Sequence, residues 1–413
     1  MVTKLEHLPQ DTVSNILSRL PQDILSNILS RLPARELLKC KFVSESWFNL
    51  ITDPYFINKY YVFYNNLIYS QNQKEHLWVI RTLFNNSGVK IDFPLMFWNL
   101  DDPKKHVSSS PLNLPHVNNR DETCWGEILG SCNGLYYLQG FPNNLIINPS
   151  LKQCHVLPLR QYSITCSKET YLESEFAGFG FDHKTNDYKV VLLQDVWLKK
   201  ANGEREKGYW IALLYSLNSH SWRKFNAEDL PLPFEISHES SAVYTFMNSC
   251  CHWWGYVDKD GGRIEEFVLA FNMVDETFRK IKVPKIEYSC FSGECYKTLA
   301  PFNESNTIGV IVYPIRGIGV DKCFDVWVMK NYCDEESWIK LYSAGPVPMD
   351  SKFVGFYGIK GFIWKDKDGR LVFYDSENGK MMDLQVYGKP EIRVVRYMES
   401  IVSLRRPVKK NYN

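Results

Sequence analysis

The amino-acid sequence predicts a small all-α bundle followed by an all-β, propeller-like domain of about six blades. Three observations predict this division. Apolar residues in the first 60 positions recur at helical spacing, and from about residue 61 the chain repeats one pattern of short apolar strands. In addition, Phe, Tyr and Trp make up 15% of the chain, and these residues favour strands.

The composition is that of an ordinary globular protein. Hydrophobic residues make up 45% of the 413 residues and charged residues 23%, so the chain has enough core-forming residues to fold. At about 100–200 residues per domain, this length allows two or three domains. Because 48 Lys and Arg residues balance 47 Asp and Glu residues, the net charge is only +1. We therefore expect neither nucleic acid nor a membrane as a partner.

The N-terminal part predicts several short helices. Pro33 suits the first turn of a helix, where its missing N–H costs nothing, and Asp53-Pro54 marks a break. A bundle of this size buries little core by itself, so we expect a partner to cover its remaining apolar surface. The apolar residues at helical spacing are Ile24, Ile28, Leu29, Leu32, Leu37, Leu38, Phe42, Val43 and Trp47.

A short segment is duplicated at the start of this region. The sequence from Leu8 to Arg19 recurs from Leu20 to Arg31 with only two differences. Pro21 prevents one continuous helix from running through both copies. Only one copy can therefore form the first helix of the bundle.

The rest of the chain repeats a unit of three short strands. In each unit, two apolar strands are followed by Asn or Asp, a loop of about five residues and a third strand. Asp260–Gly262 and Asp368-Gly369 lie between paired strands and are typical of hairpin turns. Such repeats favour propeller blades, and we expect residues 61–120 and Ile392–Ser403 to supply the strands that close the ring. The five units are Gly134–Leu138, Leu145–Asn148 and Cys154–Leu157; Tyr188–Leu192, Ile211–Asn218 and Ser221–Phe225; Cys251–Tyr256, Phe267–Asn272 and Thr277–Ile281; Ile308–Val312, Phe324–Met329 and Ser337–Leu341; and Gly361–Trp364, Leu371–Asp375 and Lys380–Leu384.

Motifs of catalysis and cofactor binding are missing from the sequence. Gly178–Gly180 and Gly317–Gly319 lack the third glycine and the lysine of a phosphate-binding loop. The nine histidines show no metal-binding spacing, and no G-x-S-x-G motif is present. We therefore predict a non-enzymatic protein with no catalytic residues, no cofactor and no metal site.

The cysteines indicate a reducing compartment. They number 11, are scattered and show no C-x-x-C spacing. Cys250 and Cys251 would point to opposite faces of a strand, so we expect them to pack in the core rather than bind a metal. No apolar run follows Met1 as in a signal peptide, and no stretch is apolar enough to span a membrane. We expect a soluble, cytoplasmic protein.

A motif of the predicted helices comprises Leu20-Pro21, Ile28–Pro33, Leu37-Leu38, Lys41, Val43-Ser44, Ser46-Trp47, Leu50-Ile51 and Pro54–Phe56. This motif resembles the F-box of plant F-box proteins. That family has a single Leu-Pro start ahead of the Arg-Leu-Pro step, and the second copy of the duplication keeps the family spacing. We therefore place the F-box at 20–60 and treat 1–19 as an N-terminal extension with a duplicated F-box start.

Further motifs lie at Gly130–Leu135, Gly178–Asp182 and Asp187–Val191. They resemble hallmarks of the F-box-associated, kelch-like domain, which we place at 61–413. Further stretches, Val326–Met329 with Glu336–Ile339 and the segment Phe267–Pro284, are most similar to those of S-locus F-box proteins, the pollen determinants of self-incompatibility.

The resemblance implies the substrate-recognition subunit of an SCF-type ubiquitin ligase. In such a ligase the F-box docks a Skp-family adaptor, which leads to a cullin and a RING subunit, and the β domain binds the target. For the S-locus branch the implied targets are S-RNases, the cytotoxic ribonucleases of the style. Packing inside the bundle is the alternative for some of the apolar residues, foremost Leu38, Val43 and Trp47, and we assign no target-binding residue. The residues expected at the adaptor are Leu20, Pro21, Ile24, Ile28, Leu29, Leu32, Pro33 and Leu37.

Other functions stay open at this point. The chain could be a receptor for an unrelated plant protein, for example in defence or hormone signalling. A propeller enzyme would need convergent carboxylates near a central channel, and it leaves the N-terminal helices unexplained. A carbohydrate- or peptide-binding module would use exposed rings such as Trp98, Trp125, Trp253 or Trp254. Loops suited to target contact are expected at 99–125, 195–209, 232–241 and 343–353.

Overall fold

The computed structural model of the chain places helices first and β-sheets after them. Among the residues that it describes, no helix is long and apolar enough to cross a membrane. The described residues are 20–70, 74–85, 88–92, 95–99, 102–108, 127–140, 143–159, 170–200, 202–225, 234–236, 245–259, 264–284, 286, 295–302, 307–314, 322–348, 351–357, 361–387 and 392–404.

In the described part of the N-terminal unit, from residue 20 onwards, four helices follow one another: α1 (Gln22–Leu29), α2 (Ala34–Cys40), α3 (Glu45–Thr52) and α4 (Pro54–Ser70). The predicted break at Asp53-Pro54 is confirmed, because α3 ends and α4 begins there. The Asp53 carboxylate accepts the N–H of Tyr55 at 2.9 Å and that of Phe56 at 3.2 Å, which caps α4.

The last helix is longer than the sequence predicts. Strands are expected from about residue 61, but α4 continues to Ser70, so that prediction is wrong for 61–70. The aromatic residues of α4 favour strands by composition. Within this helix, however, Phe56 and Tyr60 lie one helical turn apart and are both fully buried. Packing against the other helices therefore decides the conformation of the segment.

The strands form six antiparallel sheets that succeed one another as in a β-propeller. The first comprises β1 (Lys74–Asn85), β2 (Gly88–Asp92), β3 (Leu95–Asn99), β4 (Asp102–Ser108) and β26 (Ile392–Arg396); the second β5 (Glu127–Cys132), β6 (Leu135–Gln139), β7 (Leu145–Asn148) and β8 (Gln153–Val156); the third β9 (Thr170–Asp182), β10 (Asp187–Lys199), β11 (Arg205–Ser216) and β12 (Ser221–Lys224). The fourth comprises β13 (Glu235–Ile236), β14 (Thr245–Met247), β15 (Cys250–Asp258), β16 (Ile264–Asn272) and β17 (Thr277–Lys282); the fifth β18 (Cys295–Phe302), β19 (Thr307–Pro314), β20 (Lys322–Met329) and β21 (Trp338–Val347); the sixth β22 (Lys352–Tyr357), β23 (Gly361–Lys365), β24 (Arg370–Asp375) and β25 (Met381–Tyr387).

The first sheet joins two distant parts of the chain. Strand β26 pairs antiparallel with β1, so that Leu77 lies opposite Arg396 and Arg81 opposite Ile392. The prediction that residues 61–120 and Ile392–Ser403 supply the closing strands is thereby confirmed for β1–β4 and β26. Pairing of the two ends of the sheet region removes an exposed strand edge.

The five predicted strand units match the second to sixth sheets. In each of these sheets the unit corresponds to its last three strands, such as β6, β7 and β8. The predicted Asn or Asp after the middle strand also has its expected role. Asn148 accepts the N–H of Leu151 at 3.2 Å, and Asp375 accepts that of Glu377 at 2.9 Å, which turns the chain into the loop. The first strand of each sheet, by contrast, was not part of the predicted units.

Glycines in first strands mark places where a strand of the next sheet approaches closely. A Cβ added at Gly178 in β9 would lie 2.8 Å from the Sγ of Cys251 in β15. A Cβ added at Gly180 would lie 2.2 Å from a ring carbon of Phe246 in β14. Only a residue without a side chain fits at these two positions.

Gly180→Ala is therefore expected to destabilise the protein by about 1–3 kcal/mol, because the new methyl group overlaps the Phe246 ring. Gly355→Ala is the matched control. Gly355 also lies in a first strand, β22, but among the described residues its Cβ would meet only the Val394 carbonyl oxygen, at 3.4 Å. Chemical denaturation of the two variants measures the difference, and equal stabilities would contradict this explanation of the glycine.

The adjacent cysteines of β15 lie on opposite sides of their strand, as predicted. Cys251 packs with Trp253 between the third and fourth sheets, and Cys250 packs with Trp254 towards the fifth sheet. Because both tryptophans are buried, neither is a platform for a sugar or a peptide. Trp98 and Trp125 lie outside the side chains that the structure describes.

Two segments predicted as irregular loops are mostly strands. Residues 195–209 form the ends of β10 and β11 with a short turn, and 343–353 belong mainly to β21 and β22. The first was misread because strand ends that extend into solvent carry charged residues on both faces and lose their apolar alternation. Most of 99–125 and 232–241 lies outside the described residues.

The two ends of the sheets differ in what they contact. In a four-stranded antiparallel sheet, the first and third turns lie at the same end. At that end, the helix-side face, residues of turns 133–134, 183–186 and 217–220 line a cavity together with residues of α4. The opposite end of the sheets, where β10 ends and β11 begins, is called the distal face.

Candidate functional site

The helices bury one apolar face among themselves. In α1, Leu25 and Leu29 face inwards, and Leu37 and Trp47 follow from α2 and α3. The Ser44 hydroxyl caps α3 by accepting the N–H of Trp47 at 3.2 Å, which fixes the position of the indole ring.

A second apolar face of the same helices is exposed. Ile24 and Ile28 lie one turn apart on α1 with 44% and 43% of their surface exposed, while Leu25 and Leu29 on the other side are buried. Phe42 and Val43 extend from the turn after α2, and Phe48 from α3, all of them exposed. Apolar residues this dense on a small bundle mark a surface for a protein partner. We call these five residues the exposed apolar surface.

The predicted adaptor-binding residues fall into two groups. Pro21, Ile24, Ile28 and Pro33 are exposed, and Leu20 and Leu32 are half-buried. Leu29 and Leu37, however, are only 1% and 0% exposed, so the structure corrects the prediction that they present their side chains at the surface. The reason is helical geometry, since both residues project towards α4 rather than away from it.

The residues for which interior packing was the alternative also divide. Trp47 is buried and Leu38 is half-buried. Val43 is 47% exposed in the turn after α2, so the alternative does not hold for this residue. The turn frees Val43 from the helical period.

Polar residues around this surface are mostly solvated. Glu36 and Lys39 form an exposed ion pair at 2.8 Å on α2. Burial lowers the pKa of Lys41, and burial together with the charge of Glu36 raises the pKa of the Cys40 thiol. None of the described residues forms a cluster of His, Cys, Asp or Glu that could hold a metal ion.

A segment from the far end of the sequence completes the helical core. Residues 397–404, here called the strap, follow β26 and lie between the helices and the second sheet. Ile401 is buried among the helices, whereas Leu404 is buried against the second and third sheets. The Tyr61 hydroxyl lies 2.7 Å from the Ser400 hydroxyl, and the Glu399 carboxylate accepts the N–H of Ala34 at 2.7 Å.

The strap is also fixed to the propeller. The Asn148 side-chain amide donates to the Val402 carbonyl at 2.7 Å and to the Ser400 carbonyl at 3.3 Å. The Leu404 N–H donates to the Gln153 side chain at 2.7 Å. Gly134 has a positive φ of 70°, and an added Cβ would lie 2.6 Å from the Met398 carbonyl oxygen, so the glycine is needed where the strap crosses.

None of the strap residues was predicted as functional. Only the apolar pair Ile401-Val402 gave a local signal, and the sequence cannot tell which unit such a pair contacts. The contacts of the strap with the helices and with Asn148 show that the exposed apolar surface is held in one position relative to the propeller.

The distal face carries a long hairpin in the third sheet. Strands β9, β10 and β11 have 13, 13 and 12 residues, whereas β12 pairs with only the last four residues of β11. The hairpin bears both charges, and the Arg205 guanidinium lies 5.0 Å from the ring centroid of Tyr171. Leu172 and Tyr209 are exposed on it. The start of β9, the end of β10 and the start of β11, residues 170–175 and 195–209, are together called the distal arm.

Comparison with known protein families matches both units. An F-box domain model matches residues 17–59, which contain all five residues of the exposed apolar surface. A model described as the F-box associated beta propeller domain matches residues 81–404, which include the strap.

Proteins of Arabidopsis thaliana are similar over most of the chain. F-box protein CPR1 is 24% identical over 93% of this chain and 85% of its own length. F-box protein At4g22390 is 27% identical over 78% of this chain and 73% of its own length, and F-box protein At3g07870 is 24% identical over 94% and 89%. Together with the helices and the propeller, these matches show that the chain belongs to the plant F-box proteins that carry an F-box-associated β-propeller domain.

Proposed function

We propose that this protein is the substrate-recognition subunit of an SCF-type ubiquitin ligase. Its F-box docks a Skp-family adaptor, through which a cullin and a RING subunit are recruited, and its propeller binds the protein to be modified. The observation that carries the proposal is the exposed apolar surface, headed by Ile24 and Ile28, on helices that belong to a matched F-box domain.

The proposed role is non-catalytic and depends on proximity. A target held by the propeller beside a charged ubiquitin carrier has a high effective concentration near the transferable thioester. The strap supports this role, because it joins the helical core through Ile401 to the propeller through Leu404. A fixed connection sets the distance between adaptor and target.

We place target contact on the distal face. The helices occupy the other face, so a target there would compete with them for space. The distal arm supports this placement, because its exposed Leu172 and Tyr209 lie beside charges of both signs. Aromatic and apolar side chains among charges are common in protein interfaces.

As the target we propose S-RNases, which makes the protein a pollen factor of self-incompatibility. The support is the similarity of Val326–Met329, Glu336–Ile339 and Phe267–Pro284 to S-locus F-box proteins. The first stretch lies in β20, the second reaches the start of β21, and the third contains most of β16 and all of β17. We further propose a cytoplasmic location. The propeller is proposed to have six blades, which correspond to the six sheets. The functional units are proposed at 20–60 and 61–413, after the extension 1–19.

Ile28→Asp is expected to weaken adaptor binding by at least about 30-fold, because a charge in the centre of an apolar interface costs about 2 kcal/mol or more. The side chain is exposed, so the fold should keep its stability. Gln22→Asp is the matched control, since it places the same charge on the first residue of the same helix. Binding of a purified Skp-family adaptor, measured by calorimetry, tests the expectation. Unchanged affinity of Ile28→Asp would remove the main support for the proposed function.

The target is tested by affinity capture of the tagged protein from pollen tubes supplied with style extract, followed by mass spectrometry. Adaptor and cullin are expected in the captured fraction, and their absence would contradict the ligase role. Capture of S-RNases would support the proposed target. Capture of adaptor and cullin with other proteins instead would overturn the S-RNase proposal and favour a receptor for an unrelated plant protein.

A further inference from the structure

A cavity of about 740 Å³ lies between the helices and the helix-side face of the propeller. Its volume is within the range of about 300–1,000 Å³ that is typical of small-molecule sites, which often lie at domain junctions. Helix α4 lines one side, the strap a second, and turns of the second to fourth sheets the rest. Neither Ile24 nor Ile28 lines the cavity, so it is separate from the exposed apolar surface.

The lining is rich in hydrogen-bonding groups and poor in charged ones. No Asp, Glu, Lys or Arg occurs among the described residues that line the cavity, and its titratable groups include the imidazoles of His183 and His220. A cationic ligand would therefore lose its hydration without gaining an anionic partner from these residues, which is costly. Carboxamides, which donate and accept, are contributed by Asn58, Asn133, Asn186 and Asn218.

Aromatic rings form a large part of the same lining. They come from both units of the protein, since α4 supplies two of them and the propeller the others. Rings of this kind favour flat, apolar ligand surfaces through stacked or edge-on packing. The aromatic residues are Tyr55, Tyr61, Phe181, Tyr188 and Phe246.

Parts of the walls are held in position by hydrogen bonds within the protein. The Asn133 amide donates to the Tyr188 hydroxyl at 3.3 Å, and the N–H of Asn218 donates to the Asp187 carboxylate at 2.9 Å. On the side of the helices, Tyr61 is fixed by its contact with Ser400 in the strap. A site that is formed in advance loses little free energy to ordering when a ligand binds.

We propose that this junction cavity binds an uncharged aromatic small molecule that carries carbonyl or hydroxyl groups. The rings of the ligand would pack on those of α4 and the propeller, and its polar groups would bond to the carboxamides. Because both units line the cavity, a bound molecule contacts both and stabilises the position of the helices on the propeller. The proposal does not depend on the identity of the target or on adaptor binding.

The test uses three probes with the same rings: N-phenyl-2-naphthamide, which is neutral, and analogues that add one carboxylate or one ammonium group. Binding to the full-length chain is measured by calorimetry and by the shift in melting temperature. We expect the neutral amide to bind saturably and to raise the melting temperature. The ammonium analogue should bind at least about tenfold more weakly, since no described lining residue offers a carboxylate to pair with it. The carboxylate analogue should also bind more weakly than the neutral amide, because only the imidazoles of His183 and His220 could receive its charge among these residues.

A pair of tryptophan variants locates the binding. Asn58→Trp fills the cavity from an exposed position on α4, and Asn49→Trp adds the same ring to an exposed position on α3 that does not line it. We expect Asn58→Trp to lose at least about tenfold in affinity for the neutral amide and Asn49→Trp to bind as the wild type does. Circular dichroism verifies that both variants are folded. The proposal is overturned if the neutral amide shows no saturable binding, if all three probes bind equally, or if Asn58→Trp binds unchanged.

Discussion

Ile401→Asp is expected to destroy adaptor binding although the residue lies more than three hundred positions from the F-box helices in the sequence. Its side chain is 1% exposed and packs with Leu29, Leu37 and other residues of the helical core. The substitution removes that packing and leaves an unpaired carboxylate in an apolar interior, at a cost of about 3–5 kcal/mol. A bundle this small has little stability to lose, so the helices should unfold or detach.

The measurement has two parts, helical content by circular dichroism and capture of a Skp-family adaptor. Ser403→Asp is the control, because it adds the same charge to an exposed position of the same strap. We expect Ser403→Asp to keep both properties. If Ile401→Asp captured the adaptor as well as the control does, the strap would not be part of the F-box unit.

The contact between the strap and the helices illustrates what local sequence patterns leave out. The N-terminal helices could be predicted because their apolar period is local, and so could the last three strands of most sheets. The residues that Ile401 contacts, by contrast, depend on the path of the whole chain. Glu399 in the same strap shows this, because its carboxylate accepts the N–H of Ala34 from the other end of the sequence. Hydrophobicity says that Ile401 is buried, but not against what.

The first strands were missed for a different reason. They carry glycines, such as Gly130 and Gly178, because a strand of the next sheet approaches these positions too closely for side chains. Glycine weakens the sequence pattern of a strand, so the residues that permit the packing also hide the element. The motif that contains Gly178 was recognised by resemblance, although its position in a strand was not.

The candidate site was predicted in outline and corrected in detail. Helical spacing placed Ile24 and Ile28 among the functional residues, and both are exposed. The same spacing includes Leu29, which lies next to Ile28 but on the buried side. Sequence spacing alone identifies two apolar faces without saying which one the protein itself covers, and the contacts with α4 and the strap decide that.

Lys189→Met is expected to destabilise the propeller by about 3–5 kcal/mol, because it removes the cation from a buried ionic network. The Lys189 ammonium donates to Asp182 at 2.6 Å, to Glu276 at 2.9 Å and to the Met273 carbonyl at 3.0 Å. It thus joins the third sheet to the fourth. Lys184→Met is the matched control, since Lys184 pairs with Asp275 at 3.0 Å in solvent, where such a pair contributes under about 1 kcal/mol.

The pH dependence separates loss of the ion pair from loss of packing. Burial raises the pKa of Asp182, but hydrogen bonds from Lys189 and Thr185 outweigh burial and lower it from 3.8 to about 2. A lowered carboxyl pKa stabilises the folded state above about pH 4, and this contribution of about 2 kcal/mol is lost as the pH falls towards 2. The difference in unfolding free energy between wild type and Lys189→Met should therefore shrink as the pH falls through this range. A difference that stays constant with pH would mean that Lys189 acts through the packing of its aliphatic chain, because methylene contacts do not titrate.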